Sequence, residues 1–270
     1  MSVLLPIRMV EKPWGKDVLP VPFAAPAGQR IGEVWFEPPA AMAGLLVKYL
    51  FTSEKLSVQV HPSDAQTSAQ GLGRQGKEEC WLVIGADSGA VLGIGFGAAL
   101  GADEMRAAAL DGSIEQLLEW IPVRSGDFFY IPAGTVHAIG AGISLIEVQQ
   151  NSDITYRLFD YGRPRELHLD AGIAVARGER HDAALRRKLE PDGSVTLVAG
   201  PLFRLDRLAG APDPAICARY GGAPVLVLPL RGDVRVAQEL VQPGQCALAA
   251  SLEAVAPDAS ALMLIAQSCA

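Results

Sequence analysis

The chain has 270 residues, and half of them are hydrophobic, which supplies a sizeable core and excludes disorder as the main state. Acidic residues outnumber basic ones by 30 to 23, for a net charge of −7. No block of Lys and Arg occurs, so a nucleic-acid partner is not expected. No membrane span is expected either, because no run of about 18 uncharged apolar residues is present.

Cysteine usage is sparse. The four cysteines are scattered and form no CxxC pair: Cys80, Cys217, Cys246 and Cys269. Such usage is typical of free thiols in a reducing compartment. We therefore expect a cytoplasmic protein without a disulfide framework, and no obligate protein partner is evident.

Most of the chain consists of short apolar runs separated by turn residues, of which there are 28 Gly and 19 Pro. The clearest runs are LLVKYLF, LSVQV, CWLVIG, DFFYIP, ISLIEVQ and PVLVLPL. Closely spaced runs of this kind predict a mostly β sandwich or barrel. An apolar stripe predicts one helical insertion from about Asp103 to Trp120, and a second helix is expected from about Leu169 to Ala176.

The longest charged segment, residues 177–193, is interpreted as a domain boundary. It predicts one domain over residues 1–185 and a smaller β-domain over residues 190–270. No histidine follows His181, and the strands beyond it carry no polar cluster. The second domain is therefore expected to bind no metal.

Polar side chains alternate along the segment from Leu56 to Pro62. Because a strand alternates its faces with period two, Ser57, Gln59 and His61 share one face and the apolar residues the other. By itself this pattern also fits a surface strand with one solvated face.

The same alternation of polar and apolar side chains recurs on two further predicted strands. Lys77, Glu79 and Trp81 share a face, and so do Glu147 and Gln149. Three strands with this alternation indicate the polar interior of one small barrel.

A fourth element is the spacing Gly-x5-Pro-x-Gly-x2-His, which runs from Gly126 to His137. It resembles the second sequence motif of the cupin β-barrel, whose histidine is usually a metal ligand. Its candidate partners are Gln59, His61 and Glu79, whereas Cys80 has the wrong strand parity. Two imidazoles, a carboxylate and an amide oxygen suit zinc or another first-row divalent ion. The competing interpretation is a pair of core histidines beside a buried ion pair.

Longer segments extend this similarity over roughly residues 10–170. They are LSVQVHPSDAQ, GKEECWLVIG, GDFFYIPAGTVHAI and EVQQNSDITYRLFDYGR, with WGKDVL and GEVWF before them. In these the chain resembles the type I mannose-6-phosphate isomerases, a zinc-dependent cupin family. The resemblance implies a cupin-type β-barrel or jelly roll with a helical insertion and a smaller C-terminal β-domain.

The resemblance also implies one Zn²⁺ per chain. The implied ligands are Gln59, His61, Glu79 and His137. It makes Arg157, Lys77 and Glu147 active-site residues. It gives contacts to a phosphate to Ser57 and to Arg163, with Arg165 as the alternative to Arg163. The loop after Arg163 is short, which weakens that last assignment.

The implied activity is the interconversion of mannose 6-phosphate and fructose 6-phosphate through a cis-enediol, with a sugar phosphate as the partner molecule. A base must move a proton between C2 and C1, and Glu147, Lys77 and a metal-bound water are the candidates. Another metal-dependent cupin enzyme, and a cupin that binds a sugar phosphate without turnover, are the alternatives.

Overall fold

A computed structural model describes residues 3–73 and 75–269 of the chain. In chain order its strands are β1 (Val3–Leu4), β2 (Ile7–Lys16), β3 (Ile31–Phe36), β4 (Leu45–Phe51), β5 (Val58–Val60), β6 (Glu79–Ala86), β7 (Val91–Phe96), β8 (Leu118–Pro122), β9 (Asp127–Ile131), β10 (His137–Ile139), β11 (Ile143–Gln150), β12 (Tyr156–Phe159), β13 (Arg186–Lys188), β14 (Val195–Ala199), β15 (Phe203–Ala209), β16 (Val225–Arg231), β17 (Val234–Val236), β18 (Glu239–Val241), β19 (Ala247–Ala249), β20 (Val255–Pro257) and β21 (Leu262–Ser268). Its α-helices are α1 (Asp64–Ala69), α2 (Ala102–Asp111), α3 (Ile114–Leu117), α4 (Leu169–Val175) and α5 (Pro214–Tyr220). Three 3₁₀ turns, at Ala40–Met42, Ala183–Leu185 and Leu252–Ala254, complete the regular elements of these residues.

Two antiparallel sheets face each other and form a barrel. One has seven strands in the order β13-β9-β6-β11-β4-β3-β2, and the other has five in the order β12-β5-β10-β7-β8. Trp81 and Leu145 of the first sheet meet Leu92 and Ile139 of the second in one buried apolar cluster. The mostly β fold expected from the short apolar runs is confirmed.

Further layers cover both outer faces of this barrel. A six-stranded sheet, β1-β19-β16-β21-β15-β14, packs its Leu205 and Leu264 against Phe36 and Ile146 of the seven-stranded sheet. A three-stranded sheet, β18-β17-β20, covers the far side of the six-stranded one. Helices α2 and α4 cover the five-stranded sheet. Both faces of the central strands of the seven-stranded sheet are therefore buried, whereas its edge strands β2 and β13 are largely exposed.

The helical insertion is shorter than its sequence pattern predicts. Helix α2 ends at Asp111, because the next residue, Gly112, has a left-handed backbone with φ of 84°. Helix α3 adds one turn, and Leu118–Pro122 then pairs with β7 as a strand instead of continuing the helix to Trp120. The second helix is found close to its expected position, as α4.

The charged segment 177–193 is packed onto the barrel along part of its length. Strand β13 pairs with β9, and Arg180 forms an isolated bridge with Gly95. At the other end of the chain, β1 pairs with β19 of the six-stranded sheet. Strand β1 thus reaches across to the last third of the chain. Within the described residues, no helix combines the length and apolarity needed to cross a membrane.

Candidate active site

Three of the sequence-predicted ligands meet at one point between the two barrel sheets. The carboxylate of Glu79 has Oε1 3.4 Å from His137 Nε2 and Oε2 3.7 Å from His61 Nε2. One ligand atom from each residue lies within 4.8 Å of the others, and all three side chains are buried. This cluster has the donor set of a divalent metal site.

Strand register accounts for this convergence. On the five-stranded sheet, His137 of β10 is paired with Gln59 of β5, and His61 follows directly after that strand. Glu79 begins β6 of the opposite sheet. Gly134, with φ of +84°, makes the turn before His137, and a Cβ there would lie 2.9 Å from the Val175 carbonyl oxygen. Glycine is therefore required at this turn.

Both imidazoles are oriented by backbone carbonyls. His61 Nδ1 lies 2.9 Å from the Ile154 oxygen, and His137 Nδ1 lies 3.0 Å from the Thr135 oxygen. Since a carbonyl only accepts, each Nδ1 carries the proton and each Nε2 presents a lone pair to the cluster. Burial lowers the pKa of both histidines below the ordinary value, which favours this neutral form.

Glu79 supplies the negative charge of the cluster. Burial by itself would raise its pKa, but the Lys77 ammonium and then the two histidines lower that pKa well below its usual range. Lys77 Nζ lies 2.9 Å from Glu79 Oε2 and 3.1 Å from His61 Nε2. Oε2 is thus paired with Lys77, whereas Oε1 has no hydrogen-bond partner among the described residues. An ionised, buried acceptor beside two imidazole lone pairs fits a divalent cation.

The fourth expected ligand, Gln59, borders the same point. Its Nε2 lies 3.2 Å from His137 Nε2, and its Oε1 accepts a hydrogen bond from Ser57 Oγ at 3.2 Å. The two ends of an amide have nearly the same shape. Rotation by half a turn presents the oxygen to the cluster, so the amide fits the ligand role in that rotamer.

A polar cavity of about 310 Å³ adjoins the cluster and opens between the two sheets. Gln59 and Lys77 form the part of its wall that contacts the cluster, and Ser57 also lines it. On the opposite wall, Glu147 Oε1 pairs with Lys48 Nζ at 2.7 Å, and Glu147 Oε2 accepts from Trp81 Nε1 at 3.1 Å. The cavity therefore brings cationic and anionic side chains together.

The Lys48–Glu147 pair is wholly buried. Burial raises the pKa of Glu147, and so does the nearby charge of Glu79. Burial alone would lower the pKa of Lys48, but the Glu147 and Glu33 carboxylates raise it above the ordinary value. Glu147 is thus a carboxylate shifted toward neutral pH, next to a lysine that stays charged.

Unpaired polar atoms are concentrated here. Among the described residues, six buried side-chain atoms lack a hydrogen bond, and five of them belong to the cluster or to the cavity wall: Glu79 Oε1 and Oε2, Glu147 Oε1, Gln149 Oε1 and Arg157 Nε. Ion pairs reach two of these oxygens, from Lys77 and Lys48. Buried polar atoms are normally paired in folded proteins, so this concentration marks a binding site.

Two arginines border the cavity, and Arg163 is not one of them. Arg157 lies on β12 beside Gln59, and Arg165 follows in the next loop. Arg163 turns away, since its guanidinium donates to Glu54 and to the Lys55 carbonyl, each at 2.9 Å. The structure therefore does not bring Arg163 to the cavity, where the resemblance had implied a phosphate contact.

Lys48 is a cavity residue that the sequence did not assign, and Arg165 is the alternative to Arg163 that does border the cavity. Asp160, 2% exposed, accepts from Arg165 Nε at 2.6 Å and from Nη2 at 2.7 Å, which fixes the guanidinium. Lys48 is the one charged residue in the apolar run LLVKYLF. A charge in the middle of a buried strand signals an ion pair, and that signal was available from the sequence.

The fold and the cluster define a cupin-type β-barrel with a buried His-Glu-His cluster whose donor set suits a divalent metal ion. No family model matches the chain. In sequence it is 39% identical over 208 residues to a mannose-6-phosphate isomerase of Streptococcus mutans, covering 73% of this chain and 64% of that protein. It is 45% identical over 137 residues to the mannose-6-phosphate isomerase ManA of Bacillus subtilis, covering 48% of this chain and 43% of that protein. These matches confirm the resemblance to the type I mannose-6-phosphate isomerases. The matched segments span less than two thirds of each of these relatives.

The similarity in fold extends over the whole chain. The crystal structure of the Bacillus subtilis mannose 6-phosphate isomerase has a TM-score of 0.81 at 23% identity, covering 98% of this chain and 99% of that one. A variant of phosphomannose isomerase from Salmonella typhimurium has a TM-score of 0.72 at 14% identity, covering 98% of both chains. The C-terminal sheets are therefore part of the shared fold.

Proposed function

We propose that this chain is a metal-dependent aldose–ketose isomerase that interconverts mannose 6-phosphate and fructose 6-phosphate through a cis-enediol. The observation that carries the proposal is the His61–Glu79–His137 cluster beside a cavity that holds two arginines and a buried carboxylate. The named relatives support the choice of sugar phosphate as the substrate.

The proposed metal is one Zn²⁺, held by His61, Glu79, His137 and the Gln59 amide oxygen. Two neutral imidazoles and one carboxylate suit zinc better than magnesium, which prefers oxygen ligands. When bound, such an ion supplies Lewis-acid stabilisation of negative charge at the reacting end of the sugar.

Glu147 is proposed as the base that moves the proton between C2 and C1. Its raised pKa lies closer to neutrality than that of an ordinary glutamate, which suits a group that must both take up and return a proton. Lys77 is a weaker candidate, because its ammonium is bound to Glu79 and His61. Its proposed role is to stabilise the negative charge that develops on the sugar oxygens.

The phosphate is proposed to bind between Arg157 and Arg165. Burial, and then the neighbouring charge of Arg165, lower the pKa of Arg157. Two guanidinium groups this close repel each other, and a phosphate dianion relieves that repulsion. Arg157 Nε has no partner among the described residues and is a donor ready for such an anion. Ser57 is proposed as a further hydroxyl contact to the substrate.

We also propose the division into a catalytic domain, residues 1–185, and a smaller metal-free domain, residues 190–270. In its support, the six-stranded and three-stranded sheets take all strands after β13, although β1 joins them as well. A cytoplasmic location is proposed on the four free cysteines.

The test is a coupled isomerase assay on metal-analysed protein, before and after chelation, with both sugar phosphates. We expect zinc at one equivalent per chain, loss of turnover with the metal, and recovery when zinc but not magnesium is added back. Binding of fructose 6-phosphate without turnover would instead indicate a sugar-phosphate-binding protein. Turnover that survives complete removal of the metal would rule out the metal-dependent mechanism.

A further inference from the structure

Gln149 is a buried amide in the cavity wall, and the reaction proposed above makes no use of it. Its side chain is 1% exposed and lies on β11, on the same face as Glu147. Across the strands it is paired with Glu79 of β6. Gln149 therefore neighbours both a metal ligand and the proposed base.

The orientation of the amide is fixed by its surroundings. Its Nε2 lies 2.7 Å from the Gln150 carbonyl oxygen and 2.9 Å from the Ser152 carbonyl oxygen. Both of these oxygens are acceptors only, so the nitrogen must face them. The amide oxygen, Oε1, consequently points away from this turn, and the usual ambiguity between the two ends of an amide does not arise.

Oε1 is left without a partner. It is shielded from solvent and accepts no hydrogen bond from any residue that the structure describes. A buried carbonyl oxygen is normally satisfied, because leaving it unpaired has a cost in stability. Since Gln149 lines the cavity, a molecule bound there can supply the missing donor.

We propose that Gln149 Oε1 accepts a hydrogen bond from a hydroxyl group at the reacting end of the sugar, which makes Gln149 a specificity-determining residue. This inference rests on the proposed function. A neutral acceptor attracts a hydroxyl group and repels a phosphate or carboxylate oxygen, because these carry no proton to donate. Gln149 thus selects the sugar end of the substrate, while Arg157 and Arg165 select the phosphate end.

The experiment compares Gln149→Met with the wild-type metal-loaded protein. Met has a similar length and no strong acceptor. Dissociation constants are measured by calorimetry for fructose 6-phosphate and for its 1-, 3- and 4-deoxy analogues. In the wild type we expect one analogue to bind about 10- to 100-fold more weakly than the parent sugar. In Gln149→Met that difference should vanish, because the parent sugar has lost the same hydrogen bond.

Gln150→Met is the matched control. Gln150 is the neighbouring buried amide, and it is fully engaged outside the cavity, with Oε1 accepting from Glu78 N and Nε2 donating to Asp64, both at 2.9 Å. This variant should keep the wild-type preference for the parent sugar even where its melting temperature falls. If Gln149→Met is too unstable to assay, Gln149→Leu replaces it.

The inference would be overturned if, for every analogue, the ratio of its dissociation constant to that of the parent sugar were the same in the wild type and in Gln149→Met. Gln149 would then serve only to support the turn at residues 150–152. In that case the proposed function stands, provided that the wild type turns over fructose 6-phosphate. If the wild type binds none of these sugars, the proposed function fails and the inference fails with it.

Discussion

Strand parity decides which of two adjacent glutamates can bind a metal. Glu79 is 1% exposed and lies between the two imidazoles. The side chain of Glu78 lies on the other face of the strand, where it accepts a hydrogen bond from the Tyr130 hydroxyl. A shift of one residue in this register would exchange the two environments.

Glu79→Gln is expected to lose most of its bound metal, because a neutral amide replaces the anionic ligand. Glu78→Gln is the control, since its amide oxygen can still accept from Tyr130 and nothing at the cluster changes. Zinc content and melting temperature of the two purified variants check this prediction. A zinc-depleted Glu78→Gln beside a zinc-replete Glu79→Gln would reverse the register, and two zinc-replete proteins would remove the site.

Arg157→Ala is expected to retain the metal and to lose turnover. Arg157 is not part of the His61–Glu79–His137 cluster, but it lines the cavity, and its Nε has no hydrogen-bond partner among the described residues. Besides its proposed contact with the phosphate, we expect Arg157 to stabilise negative charge that develops during the reaction, so kcat should fall on the order of 10²-fold. The matched control is Arg124→Ala, an exposed arginine outside the cavity. A raised KM at unchanged kcat would limit Arg157 to phosphate binding.

At the scale of single residues, the sequence predicted those side-chain positions that follow from the two-residue repeat of a β-strand. Strand alternation alone predicted that Gln59, His61 and Glu79 face the barrel interior, and the structure places all three at the cluster. The same alternation does not predict where side chains point in a loop. The path after β12 takes Arg163 toward Glu54 and brings Arg165 to the cavity, and no periodic pattern distinguishes these two arginines.

Among the elements, the charged segment after α4 differs most from its sequence pattern. His181 is 7% exposed, and its Nε2 donates to the Tyr130 carbonyl at 2.8 Å. Its Nδ1 accepts from Arg186 Nε at 3.0 Å, and Arg186 also forms a two-pronged contact with Glu119. Its charged side chains led to the interpretation of this segment as a domain boundary. Their pairing on the barrel surface depends on distant strands that local composition does not reveal.

Because His181 is neutral in the folded chain, it makes the free energy of unfolding depend on pH. Burial, and then the positive charge of Arg186, hold the pKa of His181 below its ordinary value. Below about pH 6.5 the unfolded chain therefore binds a proton that the folded chain does not. The stabilisation is present above that pH and is lost as the pH falls toward the pKa of the folded state.

His181→Gln should remove this pH dependence, because an amide can donate to Tyr130 and accept from Arg186 without titrating. Between pH 7 and pH 5.5 the wild type should lose up to about 1.4 kcal/mol more per pH unit than the variant. Urea unfolding of the metal-loaded proteins at several pH values measures the difference, and contributions from other histidines are common to both. Parallel curves would show that His181 does not titrate in this range.

The helical insertion shows a second limit at the scale of elements. An apolar stripe continues past Gly112, which led to the expectation of one helix as far as Trp120. In the structure, Trp120 pairs with Gly93 as part of a strand. Pairing with a neighbouring strand overrides local periodicity over these few residues.

In the whole molecule, the seven-stranded sheet contributes side chains to two hydrophobic cores. Its inner face lines the barrel and the cavity, and its outer face packs on the six-stranded sheet. The continuous apolar runs, such as LLVKYLF, are what a sheet buried on both faces requires. The sequence predicted the barrel from those runs. It did not reveal that β1 crosses to the last third of the chain, because a two-residue strand carries no detectable pattern.

This shared sheet implies that the barrel depends on the C-terminal sheets for its stability. A fragment ending at Leu189 would expose the apolar side chains on the outer face of the seven-stranded sheet, among them Phe36, Val47 and Ile146. Each loses roughly 1.5–3 kcal/mol of burial energy, and the resulting patch favours association. We expect the fragment to bind a hydrophobic dye and to elute as aggregates in size-exclusion chromatography, while the full chain does neither. A monodisperse fragment that retains zinc would show instead that residues 1–189 fold independently, because metal binding requires Glu79 and His137 to meet across a formed barrel.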